Sequence, residues 1–185
     1  MRLLVYGSKD FGRVVKALVR HAGHDFAGFI DDFAAGPEIV GTYAQARTAF
    51  PAASGTGIVV AVGYDHLAAR WALFQEIKRD GYAVPALVHD AALVNPDAKV
   101  GEGAIVMAGA NVDVFSAVGE LAVLWPGVIV SHDCCVGRNC FLSPGAILCG
   151  FVRTGADCFI GAGAVIADHR TVPDGTFVKA AALYT

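Results

Sequence analysis

LWPGVIVSHDCCVGRNCFLSPGAILCGFVRTGADCFIGAGAVI, residues 124–166, places Leu124, Val130, Val136, Leu142, Leu148, Thr154, Ile160 and Ile166 at strict six-residue intervals. Outward from this stretch the same beat reaches back to Val88 and forward to Val178, and fifteen of its sixteen positions are Val, Leu or Ile. Four residues after each of the first thirteen sits nothing larger than valine, as at Ala98, Ser116, Val128, Cys134, Ala146 and Ala164. Neither the helical period of 3.6 nor the strand period of 2 produces this spacing. A fixed hexad over such a length is a repeat architecture, a parallel β-helix. Each hexad forms one face of a triangular prism, with the aliphatic residue inside and the small residue at the corner. Gly101, Gly119, Gly137, Gly155 and Gly161, each directly after the aliphatic position, are expected to relieve backbone strain there. Five coils fit between Val88 and Phe177. Arg170 occupies a small-residue slot, which predicts a bulge over 167–171, and residues 176–185 are expected to cover the end of the prism.

Residues 1–87 read differently. Short apolar runs alternate with amphipathic stretches, the pattern of βαβ units around a short parallel sheet. Strands are predicted at Leu3–Tyr6, Phe26–Ile30, Ile58–Val62 and Val84–Val88, and helices at Arg13–His21 and, capped by Asp65, through Lys78. The chain therefore divides near residue 87 into a Rossmann-like α/β domain, 1–87, and a β-helix domain, 88–185.

Composition narrows the partners. A net charge of −3 with no basic stripe argues against nucleic acid. No apolar run of 18 residues is present to span a bilayer, and the first residues lack a secretory leader, so the chain is expected in the cytoplasm with its five cysteines reduced. Hydrophobic content of 55% against 17% charged residues predicts a buried interface between subunits. Cys134, Cys140 and Cys158 fall in corner slots, where a thiol behaves as a small hydrophobe. The histidines are too scattered for a metal site, and none is expected.

The whole chain resembles the sialic acid O-acetyltransferase family and the related N-acetyltransferases of UDP-linked amino sugars. The resemblance rests on Gly7–Gly12 after the first strand, Phe29-Ile30-Asp31-Asp32, Ala61-Val62-Gly63, Ser131-His132-Asp133-Cys134 and Phe159–Ala164. It implies a left-handed β-helix, a homotrimer, acetyl-CoA held in the groove between subunits, and a sugar nucleotide held by the N-terminal domain. It further implies His132 as general base with Asp133 orienting it, the Gly150 amide facing the thioester carbonyl, and Gly161 and Ala162 along the pantetheine arm. The chain departs from the family where Lys9, Asp10 and Phe11 replace glycines and a histidine, where Trp125 replaces an acceptor-contacting Asn, and where Phe141 replaces a CoA-contacting His. One coil of the longer members is also missing.

The residues support part of this independently. An amine or hydroxyl attacking a thioester must lose a proton, and a neutral imidazole is a suited acceptor. His132 lies two residues after Val130, where a side chain points outward, which fits either a base or a surface histidine. Gly150 is equally a corner glycine or an oxyanion donor. At the N-terminal turn, Gly7, Ser8, Lys9 and Gly12 let backbone approach a phosphate, with Asp31 or Asp32 about twenty residues on to bind ribose or base. Gly63, Trp125 and Phe141 complete the candidate binding residues. N-acetyl transfer to a nucleotide-linked amino sugar is the leading reading. Transfer to a sugar hydroxyl and a non-catalytic trimeric scaffold are the alternatives.

Overall fold

Leu3, Leu4 and Val5 have no accessible surface, as a central parallel strand covered on both faces requires. In the structure, a computed structural model describing residues 1–185, they belong to β1 (Arg2–Tyr6). With β2 (Asp25–Ile30), β3 (Ile39–Gly41) and β4 (Gly57–Val60) it forms a parallel sheet of order β3-β2-β1-β4. The helices are α1 (Asp10–His21), α2 (Tyr43–Ala49) and α3 (Leu67–Arg79). β3 and α2 carry too few residues to show a period in the sequence. α2 is fixed by a capping box, in which the Thr42 hydroxyl accepts from Gln45 N–H and the Gln45 side chain accepts from Thr42 N–H. α1 begins three residues before the expected Arg13, because Lys9 already has the extended backbone of an N-cap. α3 begins after a 3₁₀ turn over Tyr64–His66, so Asp65 does not cap it.

Asp31 organises the loop after β2. It is 7% exposed, and its carboxylate accepts hydrogen bonds from the Ser8 hydroxyl and N–H and from Phe33 and Ala34 N–H. Burial alone pushes this carboxyl up, but the donors, led by the Ser8 hydroxyl, outweigh it and hold it below the ordinary carboxylate range.

The second unit runs from Ala86 to Thr185, and the first ends at Pro85. The expected strand at Val84–Val88 contracts to Leu87–Val88, which pairs with Ile105–Val106 and so already belongs to the repeat. Seventeen strands of two residues stack into three parallel sheets of five, six and six strands, a parallel β-solenoid of about five turns. Each pairs with the strand one coil on, as Val123–Leu124 does with Phe141–Leu142 and Ile129–Val130 with Ile147–Leu148. The six-beat residues and the small residues between them form one buried column. Thr154, the one polar residue on the beat, is accommodated because its hydroxyl oxygen accepts the Gly137 N–H at 2.9 Å.

Three expectations change here. The glycines directly after the aliphatic position do not adopt left-handed backbone. A Cβ on Gly119 would lie 2.7 Å from Gly137 C and Arg138 N, so these glycines let coils approach one another. The left-handed conformation falls two residues later: at one corner on Gly109, Gly127, Gly145 and Gly163, and at the other two on Phe115, Leu121, Asp133, Asn139, Phe151, Asp157 and His169. Each non-glycine residue there is strained by about 1–2 kcal/mol. Arg170 causes no bulge, because Thr171–Val172 keeps the six-residue step and the Arg170 side chain is simply exposed. Residues 176–185 do not fold over the end either; Phe177–Val178 and Leu183–Tyr184 continue the coil.

No helix is long and apolar enough to cross a membrane. Gly119→Ala is expected to destabilise the solenoid by about 1–3 kcal/mol in denaturant unfolding, whereas Ala181→Gly, at a left-handed and exposed position, leaves stability unchanged or raises it. The stabilisation from Asp31 is complete above the unfolded carboxyl value of about 3.9 and disappears as pH falls through the lower folded value. Asp31→Asn is therefore expected to lower stability at pH 7 and to flatten the acid limb of a melting-temperature profile.

Candidate functional site

Val130 is sealed in the solenoid interior, and the chain then turns outward through Ser131, His132 and Asp133. This corner is locked from both neighbouring coils. Asp133 N–H donates to Val114 O at 3.1 Å, and Phe151 N–H donates to His132 O at 3.2 Å. Ser116 fills a small slot one coil earlier in the chain. Its hydroxyl donates to Ser131 O at 2.7 Å while accepting Cys134 N–H at 3.0 Å. Ser116 was legible in sequence only as a small residue.

Asp133 stands in the left-handed region at φ +58°, which turns its carboxylate back onto the preceding imidazole. Its Oδ2 lies 3.0 Å from His132 Nδ1. A carboxylate only accepts, so the proton of the neutral ring sits on Nδ1 and the lone pair on Nε2. The imidazole is about half exposed, open to a reactant. Its floor is Gly150, where a Cβ would stand 2.8 Å from both Cε1 and Nε2. Gly150 thus has a structural task in addition to the one expected: only glycine leaves room for this ring.

The expected main-chain donors divide. Two residues past each aliphatic position the backbone points outward, and Pro96, Pro126 and Pro144 occupy this slot without loss. Gly150 and Ala162 share it, and their N–H groups have no acceptor within the chain. Gly161 N–H, by contrast, is taken by Val178 O at 2.9 Å, and a Cβ there would collide with Lys179 and Ala180. Gly161 is a packing glycine and offers no donor.

Within one chain, Trp125 and Phe141 stand apart from His132. Trp125 lies at the Gly127 corner, and one entire prism face, carrying Ile129–Val130, separates it from His132. Phe141 is 3% exposed, with its ring 6.1 Å from Trp125 and 6.3 Å from Phe159, which leaves no surface for a ligand. What the sequence reading missed at the His132 corner is Phe151, whose ring meets the imidazole edge-on at 5.2 Å. His169 in turn stacks in parallel on Phe151 at 4.6 Å. Adding one 18-residue coil to Asp133 and Phe151 finds both. The buried thiols of Cys134, Cys140 and Cys158 donate to main-chain carbonyls, and burial pushes Cys134 up, so they are packing groups.

In the first unit the candidate residues gather at the carboxyl ends of the parallel strands. Gly7, Ser8 and Lys9 follow β1, Asp31 and Asp32 follow β2, and Gly63 lies beyond β4, facing open space. The strand order reverses between β1 and β4, the place where open α/β sheets bind ligands. Gly7 has φ +106°, and a Cβ on it would meet Ala61 O at 2.6 Å. Gly12 lies inside α1, where a Cβ would strike Gly7 O, so it serves helix packing. Both aspartates are already engaged: Asp31 as described, and Asp32 by the Tyr6 hydroxyl and by Tyr43 N–H at 2.8 Å. They order the rim before any ligand arrives. Asp10 is drawn toward Arg13 at 3.7 Å. Beside Ser8, a groove of about 460 Å³ is lined by Arg13, Lys16, Phe29, Pro37 and Glu38.

No protein-family model matches the chain, and no curated protein matches it in sequence. Solved structures do. The chain is similar to the acetyltransferase domain of PglB from Neisseria gonorrhoeae, at 30% identity and TM-score 0.93 over 100% of this chain and 91% of that one. The same domain solved with acetyl coenzyme A matches at 27% identity and TM-score 0.86, over 99% of this chain and 92% of that one. A histidine-to-asparagine variant of perosamine N-acetyltransferase from Caulobacter crescentus, solved with CoA and GDP-perosamine, matches at 27% identity and TM-score 0.93, over 100% of this chain and 89% of that one. With a solenoid built on hexads and this likeness over the full length, the chain belongs to the hexapeptide-repeat acetyltransferases.

Proposed function

We propose that the chain transfers an acetyl group from acetyl-CoA to the amine of a nucleotide-linked amino sugar for bacterial glycan synthesis, with His132 as general base. One observation carries this reading. The imidazole is held by Asp133 with Nε2 free, directly above Gly150, whose N–H is unengaged. The two groups that direct attack on a thioester needs, a proton acceptor and an oxyanion donor, thus stand side by side. As the amine nitrogen attacks the thioester carbonyl, His132 Nε2 takes its proton, Asp133 stabilises the imidazolium, and Gly150 N–H meets the charge on the carbonyl oxygen; the intermediate then collapses with cleavage of the C–S bond, and the imidazolium gives its proton to the departing CoA thiolate. The free Ala162 N–H is a second main-chain donor for the CoA arm. The acceptor follows the perosamine enzyme, whose structure holds GDP-perosamine.

The N-terminal unit is read as a Rossmann-like domain holding the nucleotide. Gly7, Ser8 and Lys9 offer backbone and charge to the phosphates at the start of α1, Gly63 leaves space opposite, and Arg13 and Lys16 supply positive charge in the groove. The solenoid is read as left-handed, and the assembly as a homotrimer in the cytoplasm. A mostly aliphatic stripe on the face leading into the His132 corner supports the trimer: Leu93, Ile129, Ile147, Val165 and Leu183 share one outward register, interrupted by Asn111, with Leu93 and Leu183 each more than 60% exposed. Packing that stripe against a neighbour sets His132 at a seam between subunits.

His132→Asn is expected to lower kcat by about 10²-fold or more with the oligomer intact; unchanged turnover removes His132 from the mechanism. Gly150→Ala forces the ring off its seat and is expected to cost about 10²-fold in kcat. Thioester cleavage with a panel of nucleotide-linked amino sugars and hydroxy sugars, GDP-perosamine included, identifies the acceptor. Turnover of only the hydroxy sugars indicates O-acetylation. No turnover, with no rise in melting temperature on adding CoA or GDP, indicates a scaffold.

A further inference from the structure

We propose that Phe151, braced by His169, is a positioning residue that holds the His132 imidazole in its reactive orientation, an inference that rests on His132 being the base. Phe151 occupies a left-handed position at φ +62°, the conformation glycine takes at the Gly109, Gly127, Gly145 and Gly163 corner. A bulky side chain there is strained, as it also is at Phe115 and Leu121, so it is the contacts of the ring that set Phe151 apart. The strain is not relieved by burial, since Phe151 is 44% exposed. What the ring does is geometric. It meets the imidazole edge-on, with centroids 5.2 Å apart and planes at 88°. On its other side His169 lies parallel at 5° and 4.6 Å, so the phenyl ring is itself held in place.

The need for such a contact follows from the rest of the site. His132 is half exposed and makes one side-chain hydrogen bond, at Nδ1. A ring tethered at one atom can swing about that tether and carry Nε2 off the Gly150 amide. Gly150 limits the swing on one side and the Phe151 ring limits it on another. Because Phe151 N–H also donates to His132 O, backbone and ring of the two residues keep one register. The column Asp133, Phe151, His169, one coil apart at each step and all left-handed, orients its side chains along the same edge.

Phe151→Gly separates this role from a structural one, because glycine relieves the backbone strain as it removes the ring. The expected result is an unchanged or higher melting temperature, kcat reduced about tenfold, and KM for acetyl-CoA and for the amino sugar nucleotide of the panel with the highest turnover within about twofold. His169→Ala is expected to lower kcat about threefold, and His169→Phe, which preserves the stack, to restore it. Unchanged kcat in Phe151→Gly, or a raised KM at unchanged kcat, overturns the proposal, the latter by making Phe151 a substrate contact. His132→Asn measured in parallel distinguishes the two layers: full activity there overturns the reading of His132 itself, while an inactive His132→Asn with a fully active Phe151→Gly overturns only the role of Phe151.

Discussion

Coil-on-coil pairing in parallel register is the constraint on which the molecule depends. Every two-residue strand must find its partner 18 residues on, with the same side chain facing in, and a single insertion would turn an aliphatic face outward. That requirement fixes the outer surface as tightly as the core. Once Val130 is inside, His132 has one place to go, and what lies beneath it is determined by the coil length: Gly150 under His132, Phe151 beyond Asp133. The solenoid is a ruler, and the site is read off at one of its corners.

Strained backbone recurs at two of the three corners, the one that carries His132 among them. Left-handed backbone is required once per corner. At the Gly109–Gly163 corner glycine meets the requirement freely, whereas at the His132 corner Phe, Asp, Phe and His do so under strain. Asp133 is left-handed and its carboxylate lies 3.0 Å from the imidazole of the preceding residue. The same geometry leaves the Gly150 N–H unpaired, as the donor role proposed for it requires.

Much of this was legible in the sequence because one hexad repeats many times: the solenoid, its interior residues, the outward position of His132 and the importance of Gly150 all follow from spacing. What escaped depended on neighbours across coils or on single short elements. The glycines after Val100, Val118 and Val136 are there for close coil contact, which a period does not distinguish from strain relief. Within one chain a whole prism face stands between Trp125 and His132, Phe141 is buried, and the Gly161 N–H is already bonded to Val178. Asp31 and Asp32 stand at the expected edge of the sheet, yet they are held by Ser8, Tyr6 and Tyr43, residues whose proximity only the folded sheet reveals.

The most direct test is a crystal structure of the chain with CoA and a nucleotide-linked amino sugar bound together. The account predicts the sugar amine within about 2.6–3.2 Å of His132 Nε2, the sulfur of CoA on the same corner, and the Gly150 N–H directed at the position of the thioester carbonyl. An amine seated away from His132, or CoA bound along a different edge of the prism, would contradict it.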